Sequence, residues 1–402
     1  MPIMQSWPVL FSSMFSCRAK GVSTIATGTP ANQLAVDITR KSATELGLNT
    51  SQGAAYNALY AAMGADAELG GVFLGIRSGE LFRSTVDQLL PDHAGATFRM
   101  ISQGTRTMGR LTTDPAGPIV LAGKLRIALE AGAWGGSKQQ ATNQHYKYDG
   151  LGAALSAEMD IGLGFIGADL TWIWNENLVN GETQNITSNA YMAGAHWRGS
   201  WGGISAFARG GIGTVDFKSK RNFQGAGTSG PVNRTMTGNW DGTVTHFSAG
   251  ISGEGGGKTF FFRPSVQIDY VRLTEKGWSE TGGTTAGNMT IAARASKDLS
   301  LEGGLTLGID FSGRSNRDSN WFRVEAEGGR RQLLDGEAGA TTARYGAGTP
   351  FTLQAEELRS GWYGRLRALG GSSDFQMGGE AGVETGNGKA GFSFRGTLRM
   401  PF

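Results

Sequence analysis

Gly391-Phe-Ser-Phe-Arg-Gly-Thr-Leu-Arg-Met-Pro-Phe402 alternates with a period of two. Phe392, Phe394, Gly396, Leu398, Met400 and Phe402 fall on one side, and Ser393, Arg395, Thr397 and Arg399 on the other. Such a segment is a β-strand with one apolar and one polar face. The apolar face needs cover. A barrel in a bilayer covers it with lipid, and closure gives every strand a partner on each side.

Working back from this stretch, the same period recurs. Leu299, Leu301, Leu305, Leu307, Ile309 and Phe311 alternate with Ser300, Glu302, Thr306 and Asp310. Phe262, Val266, Ile268 and Tyr270 alternate with Arg263, Gln267 and Asp269, and Phe322, Val324 and Ala326 with Arg323, Glu325 and Glu327. The pattern predicts strands over 121–135, 147–160, 163–176, 186–199, 203–218, 237–253, 259–275, 287–311, 318–332, 359–371, 374–385 and 389–402. Twelve is even, so both barrel ends lie on one side. The connections alternate as well. Long ones (136–146, 177–185, 219–236, 276–286, 333–358) are expected outside the cell and short turns on the periplasmic side, with Gly386-Asn-Gly388 an exceptional tight turn. Trp134, Trp172, Trp174, Trp197, Trp201, Trp362 and Tyr363 near strand ends read as interfacial girdles.

Composition agrees. The 402 residues include 65 glycines and one cysteine, with a net charge of +3. Mean hydropathy is −0.23, and no run reaches the ~18 apolar residues of a membrane helix. Cys17 alone makes no internal disulfide or cysteine zinc site, and a charge near neutral gives no case for nucleic acid. The first seventeen residues lack a basic n-region, and Pro8 interrupts their apolar run. The expected start therefore lies inside a longer reading frame.

Residues 1–50 show no sustained period, whereas 51–113 read as helices. Ser51 is expected to cap Gln52–Met63, with Gly64 as the stop. Leu69, Val72, Phe73 and Ile76 mark a second helix, and a third starts near Ser78 and ends at Pro91. Asp92 is expected to cap a fourth, running to about Thr113. The expected division is a passenger or linker remnant (1–50), a helical linker with a pore helix (51–118) and a barrel (119–402).

Arg99, Gln103, Arg106 and Arg110 are spaced by four, three and four, one face of the fourth helix. Twelve strands about 4.8 Å apart and tilted about 40° give a backbone diameter of about 24 Å, whose lumen admits one helix of ~10–12 Å. The fourth helix is therefore expected to plug the lumen, its basic face toward the inward acids Glu130, Asp169, Asp269, Glu302, Asp310, Glu325, Glu327 and Glu380.

Other motifs carry no chemistry. Gly162-Leu-Gly-Phe-Ile-Gly167 fits a dinucleotide fingerprint, but an alternating strand follows where that site needs a helix. His93, His145, His196 and His246 are scattered, and no G-x-S-x-G is present. No catalytic, metal or cofactor residue is assigned.

The helical Ser51–Leu74, Phe82-Arg-Ser-Thr-Val-Asp-Gln-Leu-Leu-Pro91, Ile268-Asp-Tyr-Val-Arg-Leu-Thr-Glu-Lys-Gly-Trp-Ser-Glu-Thr-Gly-Gly283 and the terminal Phe402 together resemble the autotransporter β-domain, over about residues 45–402. The resemblance implies an all-β, twelve-stranded antiparallel transmembrane barrel in the outer membrane of Gram-negative bacteria, with short α-helices before it and the last of them in the pore. It implies export of an amino-terminal passenger, here truncated; nothing present supports an enzyme, and none is expected. Phe394, Leu398, Met400 and Phe402 would be the signal read by the barrel assembly machinery. Pro401 and Gly396 depart from its usual pattern. The expected partners are outer-membrane lipid, that machinery and the chain's own passenger segment, with a monomeric barrel. A stand-alone pore or surface adhesin is the alternative.

Overall fold

The structure, a computed structural model, describes residues 13–22, 33–114, 121, 123–139, 144–181, 183–311, 320–386 and 390–402. Twelve strands form the barrel: β1 (Leu125–Lys138), β2 (Tyr146–Asp160), β3 (Phe165–Val179), β4 (Gln184–Trp201), β5 (Ile204–Gly227), β6 (Gly230–Gly253), β7 (Phe260–Glu275), β8 (Arg294–Asp310), β9 (Trp321–Glu337), β10 (Gly361–Gly371), β11 (Gln376–Glu384) and β12 (Gly391–Pro401). Each pairs antiparallel with the next in sequence, and β12 returns to β1 with Phe392 opposite Gly135 and Pro401 opposite Arg126. Closure leaves no free edge.

The alternation is inside-out relative to a water-soluble protein. On β8, Leu305 and Leu307 are 46% and 58% exposed, while Glu302 and Asp310 are 4% and 2% exposed. Leu151, Leu155, Leu170, Ile212, Leu366 and Phe394 continue the outward apolar band around the wall. Short turns close one end. Between β2 and β3, Gly164 has φ 109°, and a Cβ there would stand 2.4 Å from the Arg198 carbonyl oxygen. That position requires glycine.

At the other end the chain builds a cap. Helices α1 (Thr50–Ala65), α2 (Ala67–Gly75) and α3 (Gly79–Asp87) bury Leu59, Leu69, Phe73 and Phe82 against Phe223 and Met236 at the outer ends of β5 and β6 and Met289 and Tyr345 beyond the wall. Helix α4 (Ala96–Thr113) belongs to a second core, inside the barrel. An antiparallel hairpin, Phe15–Val22 with Gln33–Arg40, precedes the helices in a stretch expected to lack periodicity. Its signal is short, with Leu34, Val36 and Ile38 alternating with Ala35, Asp37 and Thr39.

Several expected boundaries are corrected. Residues 219–236 are not a loop. β5 and β6 each run 24 residues and meet at Gly227 opposite Gly230. They far exceed the ~9–11 residues that cross a bilayer. Their outer ends stay ordered because Phe223, Val232 and Met236 pack into the cap. The expected strand 287–311 is broken. Met289–Ile291 leaves the wall to join Trp278–Ser279, Thr341–Tyr345 and Phe351–Leu353 in a four-stranded cap sheet. The helix caps also differ. Asn49, not Ser51, caps α1 through a reciprocal pair with Gln52 (2.8 and 3.1 Å), and α1 runs on past Gly64. Gly95, with φ 79°, precedes α4, while Asp92 accepts from the Thr97 hydroxyl and pairs with Arg294. Residues 387–388 of the expected final turn lie outside the described residues.

Candidate functional site: the lumen and its helix

α4 packs against β1–β5, β7 and β12, so it lies within the barrel. Two features let it fit. A Cβ at Gly104 would stand 2.5 Å from the Trp134 ring, and one at Gly109 would overlap the Arg209 guanidinium. The helix is notched where those two wall side chains cross it. Trp134 is itself fixed, its indole N–H donating to Asn175 Oδ1 at 3.0 Å. Arg209 Nη2 donates to the Thr105 carbonyl at 3.1 Å. On this side Phe98, Ile101 and Met108 share one apolar cluster with Ala154, Ile173 and Met192 of the wall.

The other side is ionic. Arg110 reaches Asp114 at 3.1 Å, Glu380 at 3.2 Å and Glu327 at 3.6 Å. Arg106 lies 3.5 Å from Glu384 and 3.7 Å from Asp298. Gln103 accepts a hydrogen bond from the Tyr148 hydroxyl. Arg99 lies at Gly386, where a Cβ would be 2.9 Å from Nη2. The face read from the sequence thus lies against β2, β8, β9 and β11.

Of the eight acids named from the sequence, only Glu327 and Glu380 have ion pairs with the helix among the described residues. Five of the others meet residues of the wall: Glu130 with Arg395 (2.7 Å), Asp310 with Arg323 (2.9 Å), Glu325 with Arg263 (2.6 Å), Glu302 with Arg365 (3.5 Å), and Asp169 with His196 (3.6 Å). Asp269 accepts from Gln267 Nε2 at 2.7 Å and from Ser248. The reason is register. Glu302 faces Arg331, Glu325 faces Arg367, Glu327 faces Arg365 and Glu380 faces Arg395 across adjacent strands. Directly opposite residues approach within ~4.5–5.5 Å, closer than a helix at the centre of the lumen.

Sequence reasoning did not assign Asp298, Glu384, Asp114 or the wall arginines Arg365, Arg367 and Arg395 to this site. A usable signal existed. Asp298 shares the parity of Glu302, and Glu384 that of Glu380, while Arg365 and Arg367 flank the outward Leu366. Arg395 joins the two halves, reaching Glu130, Glu380 and Asp114.

The cap is fastened to the outer ends of the strands. Arg221 and Glu280, both fully buried, pair through Nε and Oε1 at 2.8 Å, and Arg221 Nη1 donates to the Gln88 carbonyl at 3.2 Å. Arg234 binds Asp66, the α2 N-cap, at 2.5 Å. Burial alone would raise the Asp66 pKa, but hydrogen bonds from Arg234, Thr284 and the Leu69 N–H hold it down to about 2.

The autotransporter β-domain family model matches residues 131–369, more than half of the chain. Among solved structures the chain is similar to the translocator domain of the autotransporter NalP from Neisseria meningitidis. The TM-score is 0.55 and the identity 16%, over 77% of this chain and 97% of that one. It is also similar to the β-domain of the Bordetella autotransporter BrkA (TM-score 0.46, 14% identity, 69% of this chain and 99% of that one). The transport unit of AIDA-I from Escherichia coli is a third (TM-score 0.43, 10% identity, 78% and 100%). No curated protein matches the chain. The chain belongs to the autotransporter β-domain family, and as such it is an outer-membrane barrel of Gram-negative bacteria that exports a passenger.

Proposed function

We propose that the chain ahead of α4 reaches the outer face through this lumen, and that α4 is the last segment to enter and stays as the plug. The path of the chain carries this reading. The short turns mark the periplasmic mouth, where β1 begins and β12 ends; α4 runs from the cap at the opposite mouth down the lumen toward β1. Arg99, Gln103, Arg106 and Arg110 hold it, with Glu327, Glu380, Asp298 and Glu384 as counter-charges. The remaining lumen acids tie the wall arginines together. The barrel works as a monomer and performs no catalysis; its task is passage and anchoring.

The lipid-facing row Phe394, Leu398, Met400 and Phe402 serves recognition by the barrel assembly machinery. Phe394 and Phe402 are among the most exposed aromatics of the wall, which supports this role.

One experiment tests both parts. A reporter is fused ahead of residue 45 behind a signal peptide and probed with protease on intact cells. Surface reporter is expected, with less of it when Phe402→Ala slows assembly. A reporter that stays protected in the periplasm while the barrel is folded would sink the export reading, and a folded-barrel yield unaffected by Phe402→Ala would remove the assembly role.

A further inference from the structure

Beside the periplasmic mouth the lumen opens into a cavity of about 300 Å³, lined by the end of the plug and by wall side chains that do not hold it. Arg126 and Arg198 both line it and are 4% and 7% exposed. Among the described residues, Arg126 Nε and Arg198 Nη1 are buried donors with no hydrogen-bond acceptor. Leaving such donors unmatched is costly, and the cost is greater for charged groups.

The charge is unmatched as well. Glu158 serves both arginines, through a two-pronged pair with Arg198 and at 3.9 Å from Arg126. Arg399, on the neighbouring strand β12, donates to the Leu111 carbonyl and has no ion pair among the described residues. Among the described residues Glu158 is thus the one carboxylate within 4 Å of Arg126 and Arg198, and His196 stands against it as well, at 3.5 Å. Asp114 and Glu327, which also line the cavity, are engaged with Arg395 and Arg367. Asp160 is at the rim and accepts from the Gly162 N–H.

The third observation concerns shape. The Arg126 guanidinium lies 3.7 Å from the centre of the Phe165 ring and that of Arg198 lies 5.9 Å from it. Phe165, Trp201 and Phe207 give the same cavity an apolar side. Its volume is at the lower end of ~300–1,000 Å³ for small-molecule sites, more than a bare anion fills.

We propose that this cavity binds a small phosphate monoester with an apolar or aromatic body. The oxyanion would sit between Arg126 and Arg198 and the body against Phe165 and Trp201. Two guanidinium groups with open N–H donors match the several acceptor oxygens of a phosphate. A bound anion also offsets the positive charge that Glu158 leaves on the two arginines.

The test uses the full chain folded in detergent micelles, with folding confirmed by heat-modifiable mobility. Calorimetry measures the binding of phenyl phosphate, inorganic phosphate and short-chain phosphatidic acid. Phenyl phosphate is expected to bind in the millimolar range or tighter, and inorganic phosphate more weakly. Arg126→Gln and Arg198→Gln should each weaken phenyl phosphate at least tenfold, while Arg272→Gln, on the outward face, changes nothing. If Arg198→Gln folds poorly because Glu158 loses its two-pronged partner, the double variant Glu158→Gln/Arg198→Gln replaces it. Tighter binding of phosphatidic acid than phenyl phosphate would identify a lipid headgroup as the source of the monoester. Absence of phenyl phosphate binding to the folded chain, or equal binding in wild type and Arg126→Gln, overturns the proposal.

Discussion

The four helices among the described residues are cut from one continuous segment, yet the first three and the fourth are held in opposite ways. α1–α3 bury Leu59, Leu69, Phe73 and Phe82 against an apolar cap, as a water-soluble helical layer would. α4 turns one side to an apolar wall and the other to Arg365, Arg367, Arg395 and a ring of carboxylates. The difference follows from the solvent that each region excludes. The cap closes over water and gains by hiding apolar area. The lumen is the inside of a barrel whose apolar face is already spent on lipid, so its inward residues are polar by the strand period. A helix held there by paired charges is matched to its wall by sign and height.

The largest effect should come from breaking that match. Arg99→Glu/Arg106→Glu/Arg110→Glu places three acids against Asp298, Glu327, Glu380 and Glu384. Breaking one side of a buried ion pair costs about 3–5 kcal/mol, and reversal adds repulsion. The expected result is expulsion of α4 and a several-fold rise in single-channel conductance in planar bilayers, with the cap still folded. Unchanged conductance would show that the apolar wall alone holds the helix.

The converse change acts on the cap alone. Phe82 is fully buried and meets Phe73 edge-on at 5.4 Å and Tyr56 at 6.4 Å. Phe82→Ala should cost about 3–5 kcal/mol of cap stability. Limited proteolysis should then cut within α1–α3 while the barrel keeps its heat-modifiable mobility and its closed conductance. A concurrent rise in conductance would mean that cap and plug open as one unit.

Much of this contrast can be read from the sequence, and the part that cannot has a physical reason. The twelve strands stand out because a membrane wall enforces a period of two over long stretches, as from Leu299 to Ile309. The basic face of α4 stands out because helical spacing is local. What α4 touches is not local. Arg106 meets Asp298 and Glu384 because of the helix's height and rotation, which the sequence states nowhere. The outer ends of β5 and β6 read as a loop because Gly225-Ala-Gly-Thr-Ser-Gly230 has turn composition, while the order there comes from packing against Val72 and its neighbours. Phe223 and Met236 keep the period, so the signal is present but masked by glycine.

A smaller effect separates the two regions by pH. Asp66 ties α2 to Arg234 and Thr284 and is held at about 2, below the ordinary 3.8. A carboxyl depressed on folding contributes stability that is complete above its unfolded value and is lost as pH falls through the folded one. Docking of α1–α3 should therefore loosen between about pH 4 and pH 2, seen as faster hydrogen exchange in α2. Asp66→Asn keeps the N-cap, because asparagine caps a helix as well as aspartate does. The variant should be uniformly weaker near neutral pH but should lose this acid step. An acid transition of the same size in Asp66→Asn would assign the step to other carboxyls, and the cap would then rest on its apolar core without this charged latch.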